Sequence, residues 1–233
     1  MANQKLVLAQ IKKSIREANA DVLFLQEVIG QNDLHAKTVS NYPTGSQFEY
    51  LADEVWPHFA YGKNAVYSEG HHGNAILSKY PIESWRNVNI STNSWEQRGL
   101  LHATLRHPCG KVVHAFNAHL NLLGKARRRQ IEAICNYIGE NTGAADPLLL
   151  AGDFNDWRQK LSAPLQERLN LKEAHHYLFG RHAATFPSAW PKLALDRIYF
   201  RYLIPRRAEV FGGKVWEKLS DHLALAAEFE FEL

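Results

Sequence analysis

Acidic, amide and histidine residues follow five short apolar segments of this sequence. A single carboxylate in such a place is most simply a turn cap, because Asp and Asn favour turns on their own account. Five recurrences favour a shared site instead, since the ends of packed strands can converge on one rim. The motifs that contain these polar residues are LQE at 25–27, NAHLN at 117–121, GDFND at 152–156, LDRIY at 195–199 and SDH at 220–222. The candidate residues are Glu27, His119, Asp153, Asn155, Asp196, Asp221 and His222.

This set of residue types fits the hydrolysis of a phosphate ester. Carboxylate and amide oxygens are hard ligands that suit Mg²⁺ or Mn²⁺, whereas structural zinc needs thiolates or a compact histidine cluster. Phosphoester hydrolysis requires a metal to neutralise a phosphoryl oxygen, a group that activates water and a donor near the leaving oxygen. A histidine beside an aspartate supplies a titratable group whose cation is stabilised. The set therefore predicts metal-assisted attack by water.

The elements that must position these residues are mostly strands. Two continuous apolar runs that end in polar residues, VLFLQEV at 22–28 and PLLLAGDFN at 147–155, are typical of buried strands. Many short strands, few helices, no repeat and no low-complexity linker predict one domain over residues 1–233 with a sheet-on-sheet core. Further strands are predicted at 57–67, 73–78, 99–106, 111–119, 195–201 and 223–231, with helices at 5–18 and 125–139.

The composition narrows the class of protein. Hydrophobic residues make up 45% of the 233 and charged residues 22%, as in an ordinary globular protein. The sequence has no apolar run long enough for a transmembrane segment and no signal-peptide pattern, so we predict a cytoplasmic protein. We also expect a monomer. Cys109 and Cys135 are too few for a disulfide framework or a thiolate metal site.

The net positive charge is compatible with an anionic partner but does not identify it. A net charge of +3 is compatible with a phosphate-ester substrate, with nucleic acid among the candidates. The densest basic run, KARRR at 125–129, is predicted to be a solvated helix face rather than a phosphate-steering patch. Aromatic and basic residues are not interleaved strongly enough in any segment to indicate a groove for single-stranded or duplex nucleic acid.

Taken in order, the motifs resemble a known family. LQEV, GNAILSKYPI, NAHLN, GDFND, LDRIY and SDH resemble the endonuclease/exonuclease/phosphatase superfamily, which has the DNase I-like fold. The resemblance runs from about residue 20 to the C-terminus, and GDFN with a terminal SDH is its most specific part. Within the superfamily the chain is similar to small bacterial members of unassigned substrate. The implied fold is a four-layered α/β sandwich, with two mainly antiparallel sheets packed face to face and helices outside.

The resemblance implies roles for the metal and the nucleophile. Glu27 is implied to hold the divalent metal, and Asp221 to help bind it directly or through water. Asp153 is implied to position and deprotonate the attacking water. Asn155 is implied to orient the water or a phosphoryl oxygen beside it.

The resemblance also implies roles for the histidines. His119 is implied to donate a hydrogen bond or a proton to the phosphate. Asp196 and His222 are implied to pair, so that a charged His222 stabilises the pentacovalent state. Asn74 in GNAILS and Arg98 in EQRGLL are further candidates for substrate binding; turn shaping and pairing with a surface acid are their respective alternatives.

The sequence departs from the family at its start. Family members usually begin with a strand that carries an Asn, often in a motif like YNIH, and this strand supplies a further metal or phosphate contact. This sequence opens directly in the predicted first helix. We expect the domain to lack that strand and the sheet containing VLFLQEV to show an unfilled lane or a substitute segment, because buried backbone groups rarely go unpaired.

The predicted function is divalent-metal-dependent hydrolysis of phosphodiester bonds, of the nuclease type. A phosphomonoesterase or a lipid-headgroup phosphodiesterase is the alternative, because one metal core can serve many substrates. A catalytically weakened binding module is the third possibility. Intact Glu27, Asp153, Asn155 and His222 favour an enzyme, while the absent Asn-bearing strand favours the module.

Overall fold

A computed structural model of the chain describes residues 4–32, 46–68 and 70–232. The helices are α1 (Gln4–Ala18), α2 (Gln47–Ala52), α3 (Gly124–Asn141), α4 (Ser162–Leu169) and α5 (Ala174–Phe179), with a 3-10 turn at Trp216–Lys218. The strands are β1 (Val22–Asn32), β2 (His58–Tyr67), β3 (Gly70–Ser78), β4 (Ile82–Asn89), β5 (Gly99–Arg106), β6 (Val112–His119), β7 (Leu148–Asp153), β8 (Lys172–Glu173), β9 (Asp196–Arg201), β10 (Leu203–Val210) and β11 (Leu225–Phe231).

The strands form two main sheets and one hairpin. The first sheet has the order β1-β3-β2, and the second has the order β4-β5-β6-β7-β9-β8. Strands β10 and β11 pair with each other. Neighbours are antiparallel except β6 and β7, which are parallel and are joined by a crossover through α3.

The buried side chains show that the predicted four-layered sandwich is correct. Successive residues of β3 face opposite sides of their sheet. Leu77 packs outward with residues of α1 and α2. Ile76 packs inward against Leu101 and Leu105 of the second sheet. The far face of that sheet is covered by α3 and α4 in a core that contains Phe116.

A glycine sets the close approach of the two parallel strands. Gly152 in β7 has φ +141°, and a Cβ there would lie only 1.9 Å from the carbonyl oxygen of Ala118 in β6. Only glycine combines this backbone angle with this proximity. The residue that follows, Asp153, is thereby held in register beside the end of β6.

An apolar groove separates the first sheet from the hairpin. Within the described residues, β1 has β3 as its one strand neighbour, and β11 has β10. The groove has a volume of about 890 Å³, and one lane of a packed sheet occupies about 160 Å³ per residue. The groove thus has room for a strand of several residues. That the domain lacks the Asn-bearing first strand of the family stays a prediction. Its lining includes Leu23, Leu25, Ile198, Ala226 and Phe229.

The helices of the described residues do not cross a bilayer. None of them combines the length with the apolar composition that such a crossing requires.

Candidate active site

Three neighbouring strands place polar residues in one row at an edge of the second sheet. His119, the last residue of β6, is in register with Asp153, the last residue of β7. Asp153 is in turn in register with Asp196, the first residue of the antiparallel strand β9. Because adjacent strands lie about 4.8 Å apart, the row brings together three residues that are far apart in sequence.

A tight turn shapes the surroundings of Asp153. Its Oδ1 accepts the backbone N–H of Asn155 at 2.8 Å. Asn155 has φ +49°, in the left-handed region that Asn tolerates better than most residues. Its Nδ2 donates to the carbonyl oxygen of Leu120 at 2.8 Å, so the turn is fastened to the segment after β6. The geometry holds both side chains of the GDFN motif at the same edge.

The pKa of the Asp153 carboxyl is raised toward neutrality. Burial raises its pKa, the negative charge of Asp196 adds to the effect, and the N–H of Asn155 opposes it; the pKa reaches about 6. The side chain is buried. A carboxylate with a pKa just below neutrality is deprotonated at pH 7 and is still basic enough to take a proton from water.

His222 is held as a cation by its neighbours. Its Nδ1 lies 2.8 Å from Oδ2 of Asp196, and Thr185 Oγ1 donates to that same oxygen at 2.5 Å. Burial lowers the pKa of His222, but the hydrogen bond and charge of Asp196, with the charges of Asp153 and Asp221, outweigh it and raise the pKa to about 9. The imidazole is therefore protonated at neutral pH.

His119 is neutral, unlike His222. Its Nδ1 lies 3.9 Å from Glu27 Oε1 and its Nε2 lies 3.5 Å from Asp153 Oδ2. Burial lowers its pKa to about 3, and the positive charges of Arg98 and His222 act in the same direction. The two contacts are consequently not ion pairs at neutral pH. A neutral imidazole keeps one N–H donor, so His119 can donate a hydrogen bond without being a proton source.

A β-bulge in β1 exposes the side chain of Glu27 to solvent. The register of β1 against β3 shifts between Leu25 and Val28, and Glu27 has φ +56°. Bulges re-aim side chains next to functional sites, and a positive φ in a non-glycine residue costs about 1–3 kcal/mol. The side chain of Glu27 is 69% exposed. Its carboxylate faces solvent beside His119.

The donors fit a hard cation in an open site. Glu27 and Asp221 have exposed carboxylates; the charge of Glu27 contributes to the raised pKa of Asp153, and the charge of Asp221 to the raised pKa of His222. A divalent cation relieves such accumulated negative charge. In the parts of the chain that the structure describes, no three His, Cys, Asp or Glu side chains are grouped closely enough to hold a metal unaided. Mg²⁺ is commonly bound by one or two carboxylates while it keeps several waters, and the exposed carboxylates of Glu27 and Asp221 are donors of that kind.

The two candidates for substrate binding have different surroundings. Arg98 Nη2 lies 3.1 Å from Glu96 Oε1, and the positive charge of Arg98 acts on His119. Its Nε is buried and makes no hydrogen bond to the described residues. Asn74 is 1% exposed, and its Nδ2 donates to the carbonyl oxygens of Gly99 and Asn117 at 3.2 and 3.4 Å. Arg98 lies at the site, whereas the amide of Asn74 links the two sheets.

Two further residues support the site without having been predicted. Gln26 Nε2 donates to Asn117 Oδ1 at 2.7 Å. Asn117 Nδ2 donates to the carbonyl oxygens of Leu25 and Ala75 at 2.9 and 2.8 Å. These bonds tie β1 to β6 directly beside Glu27. Asn117 is the first residue of the NAHLN motif, and this motif is the sequence feature that could have identified it.

Comparison with known proteins decides the family. Residues 2–222 match the profile of the Endonuclease/Exonuclease/phosphatase family. The chain belongs to this family. The three activities in the family's description all cleave phosphate esters. The chain is also 41% identical over 227 residues to the uncharacterized protein YbhP of Escherichia coli strain K12. The aligned region covers 97% of this chain and 89% of YbhP. The YbhP protein of Shigella flexneri matches to the same extent.

Solved structures of family proteins share the fold. The human Nocturnin catalytic domain superposes with a TM-score of 0.77 at 20% identity, over 99% of this chain and 88% of that one. An endonuclease/exonuclease/phosphatase from Bacteroides vulgatus gives a TM-score of 0.76 at 20% identity, over 99% and 92%. A mannosyl-6-phosphatase from Bacteroides thetaiotaomicron gives 0.73 at 19% identity, over 97% and 91%. These similarities establish the DNase I-like fold.

Proposed function

We propose that this protein is a divalent-metal-dependent phosphodiesterase that cleaves its substrate by direct attack of water on phosphorus. One observation carries the proposal. A carboxylate with a pKa of about 6, Asp153, and an imidazolium with a pKa of about 9, His222, flank the same aspartate, Asp196. At neutral pH the edge of the sheet therefore holds a base and a cation side by side, which is what hydrolysis of a phosphate ester needs.

Asp153 is the base that takes a proton from the attacking water. Its Oδ1 accepts the N–H of Asn155, and its Oδ2, which lies 3.5 Å from His119 Nε2, has a further lone pair to accept from water. Asn155 is fixed by its own bond to the Leu120 carbonyl, so that its side-chain oxygen can orient the water or a phosphoryl oxygen. General-base assistance of this kind contributes about 10²–10⁴-fold to a rate.

The two histidines act on the phosphate in different ways. Asp196 holds Nδ1 of His222, so that Nε2–H is the donor that faces outward to a phosphoryl or leaving oxygen. The positive charge offsets the negative charge that grows on the pentacovalent state. The neutral ring of His119 adds a hydrogen bond from the opposite side of Asp153.

The metal-binding residues in this proposal are Glu27 and Asp221. A bound Mg²⁺ or Mn²⁺ would neutralise charge on a phosphoryl oxygen. Both carboxylates are exposed, so they can bind a cation without the cost of first dehydrating a buried pair. Glu27 lies beside His119, and the charge of Asp221 acts on His222; a cation held by these carboxylates would draw the phosphate to this edge of the sheet.

A soluble diester tests the proposal directly. Bis(4-nitrophenyl) phosphate should be hydrolysed with Mg²⁺ or Mn²⁺, and both EDTA and the substitution Asp153→Asn should abolish turnover. Glu140→Gln is the matched control, because this exposed residue lies near the far end of α3, about 24 Å along the helix from Gly124. Full activity in EDTA, or in Asp153→Asn, would show the mechanism to be wrong. Parallel assays of duplex DNA and RNA test the nuclease type predicted from the sequence.

A further inference from the structure

Four large apolar side chains are exposed beside the proposed site. Their exposed fractions are 82% for Trp95, 59% for Leu122, 62% for Leu123 and 42% for Trp157. Large apolar groups that cluster on a surface commonly mark a place of interaction. These four residues are called the apolar rim.

Hydrogen bonds and ring contacts join the apolar rim into one surface. The N–H of Leu122 donates to Oε1 of Glu96, the residue after Trp95, at 3.2 Å. Arg127 donates from Nη1 to the Leu122 carbonyl oxygen at 2.5 Å. The guanidinium of Arg127 also lies 4.5 Å from the ring centre of Trp157. Three separate chain segments are thus held together around Arg127.

The apolar rim adjoins the proposed catalytic residues. Asn155 is bonded to the carbonyl oxygen of Leu120, two residues before Leu122, and Trp157 stands two residues after Asn155. Glu96, which holds Leu122, is also paired with Arg98 near His119. A partner that covers the rim therefore brings its own groups to the mouth of the site.

The exposed charged side chains beside the apolar rim are mostly cations, whereas the nearby acids are buried, as Asp153 and Asp156 are, or paired, as Glu96 is with Arg98. Segments 122–129 and 157–162 contain no Asp or Glu. Burial lowers the pKa of Arg127, the buried carboxylates of Asp156 and Asp153 oppose this, and the positive charges of Arg158 and Arg128 add to it, so both arginines lie near Arg127. The exposed cations of these two segments are Lys125, Arg128, Arg129, Arg158 and Lys160.

We propose that the apolar rim and its cations dock the protein on an anionic lipid surface, and that the substrate is a phospholipid phosphodiester. This inference rests on the proposed function. Trp side chains are favoured at the level of lipid headgroups, Leu side chains insert below them, and Lys and Arg attract anionic lipids. Leu122 and Leu123 provide no aromatic face on which a nucleic-acid base could stack. The observations therefore favour a membrane over a single-stranded nucleic acid.

The chemical step is the same hydrolysis that the site supports. A water oxygen forms a bond to phosphorus, and the bond from phosphorus to one ester oxygen breaks. The water proton passes to Asp153, and the released alcohol oxygen takes up a proton. The products are a phosphomonoester and an alcohol.

Docking is tested without turnover. The Asp153→Asn protein, in EDTA, is sedimented with vesicles of phosphatidylcholine alone or with about 30 mol% phosphatidylglycerol. We expect binding to the anionic vesicles, and its reduction by at least about tenfold in Leu122→Ser/Leu123→Ser and in Trp95→Ser. Trp85→Ser is the matched control, because Trp85 is 53% exposed in the middle of β4. All these positions are exposed, so melting temperatures should not change.

The outcomes separate the two proposals. Absent vesicle binding, or vesicle binding that Trp95→Ser leaves intact, overturns the docking proposal. It is also overturned if the rim substitutions weaken binding of a single-stranded oligonucleotide and not of vesicles. Hydrolysis of bis(4-nitrophenyl) phosphate reports the proposed function by itself. If both proposals hold, the rim variants keep that activity and lose hydrolysis of phospholipid in vesicles.

Discussion

His222 Nδ1 and Asp196 Oδ2 lie 2.8 Å apart, and this contact connects the segment before β11 to the first residue of β9. Thr185 Oγ1 donates to the same carboxylate oxygen and fixes its orientation. The contact matters because it places a cation in a row that otherwise consists of two carboxylates and a neutral histidine. The protonation state of the whole site depends on it.

Replacing Asp196 by Asn should lower turnover and move the pH range of activity to lower pH. The substitution removes the hydrogen bond and charge that hold the pKa of His222 at about 9. The alkaline limb of the rate profile should therefore move to lower pH. Steady-state rates on bis(4-nitrophenyl) phosphate from pH 5 to 10 measure this, with Thr185→Val as a variant that keeps the carboxylate. An unchanged alkaline limb in an active Asp196→Asn enzyme would contradict the pairing.

Asp153→Asn should be inactive yet more stable at alkaline pH. The folded pKa of about 6 exceeds the ordinary value of 3.8, so the wild-type protein loses stability as pH rises from about 4 to 6 and stays penalised above that range. Asn removes a penalty of up to roughly 3 kcal/mol. Urea unfolding in EDTA at pH 4 and pH 8 tests the sign. The stability gain should be present at pH 8 and absent at pH 4; an equal gain at both would refute the cause.

Glu27→Gln should reduce activity by at least about a hundredfold and raise the Mg²⁺ concentration needed for half-maximal rate, because one proposed ligand loses its charge. The side chain is exposed, so the melting temperature should change little. Metal titrations of Glu27→Gln and of Glu140→Gln, side by side, provide the measurement. A Mg²⁺ dependence identical to that of the wild type would remove Glu27 from the metal site.

A buried histidine pair should make the fold sensitive to acid. His102 Nε2 lies 3.0 Å from His114 Nδ1, and burial, with the charges of His114 and Arg86, lowers the pKa of His102 to about 4. The stability that the neutral His102 side chain contributes to the fold is fully present above the unfolded pKa of about 6.5. It is lost as pH falls from there toward 4. His102→Gln should therefore lose less melting temperature between pH 7.5 and 5 than wild type. His58→Gln, at a partly exposed histidine, should behave like wild type.

Filling the groove between β1 and β11 should stabilise the domain. Joining an Asn-bearing, strand-forming segment of about 15 residues ahead of Met1 should raise the melting temperature and the Mg²⁺-dependent rate, since it covers apolar area and adds a contact near Glu27. A Gly/Ser segment of equal length is the control. If the two extended proteins melt alike, the groove does not accept a strand from that direction.

Local patterns were enough to predict much of the framework. The hairpin of β5 and β6 follows from two apolar segments separated by Pro108-Cys109-Gly110. Strand β7 follows from a continuous apolar run. By contrast, β4 is an edge strand with mostly exposed side chains, and β10 contains Pro205 and two arginines. Their pairing depends on partners distant in sequence, so no local periodicity marks them.

The sequence also predicted the chemical types of the site residues, which are carboxylates, amides and histidines at the ends of strands. Their protonation states were not. His119 and His222 are the same residue type, yet burial makes one neutral while Asp196 makes the other a cation. Leu122 and Leu123 have the composition of a buried segment but are exposed. Burial and charge at one residue depend on side chains that only the folded chain brings near it, and no spacing along the sequence encodes those distances.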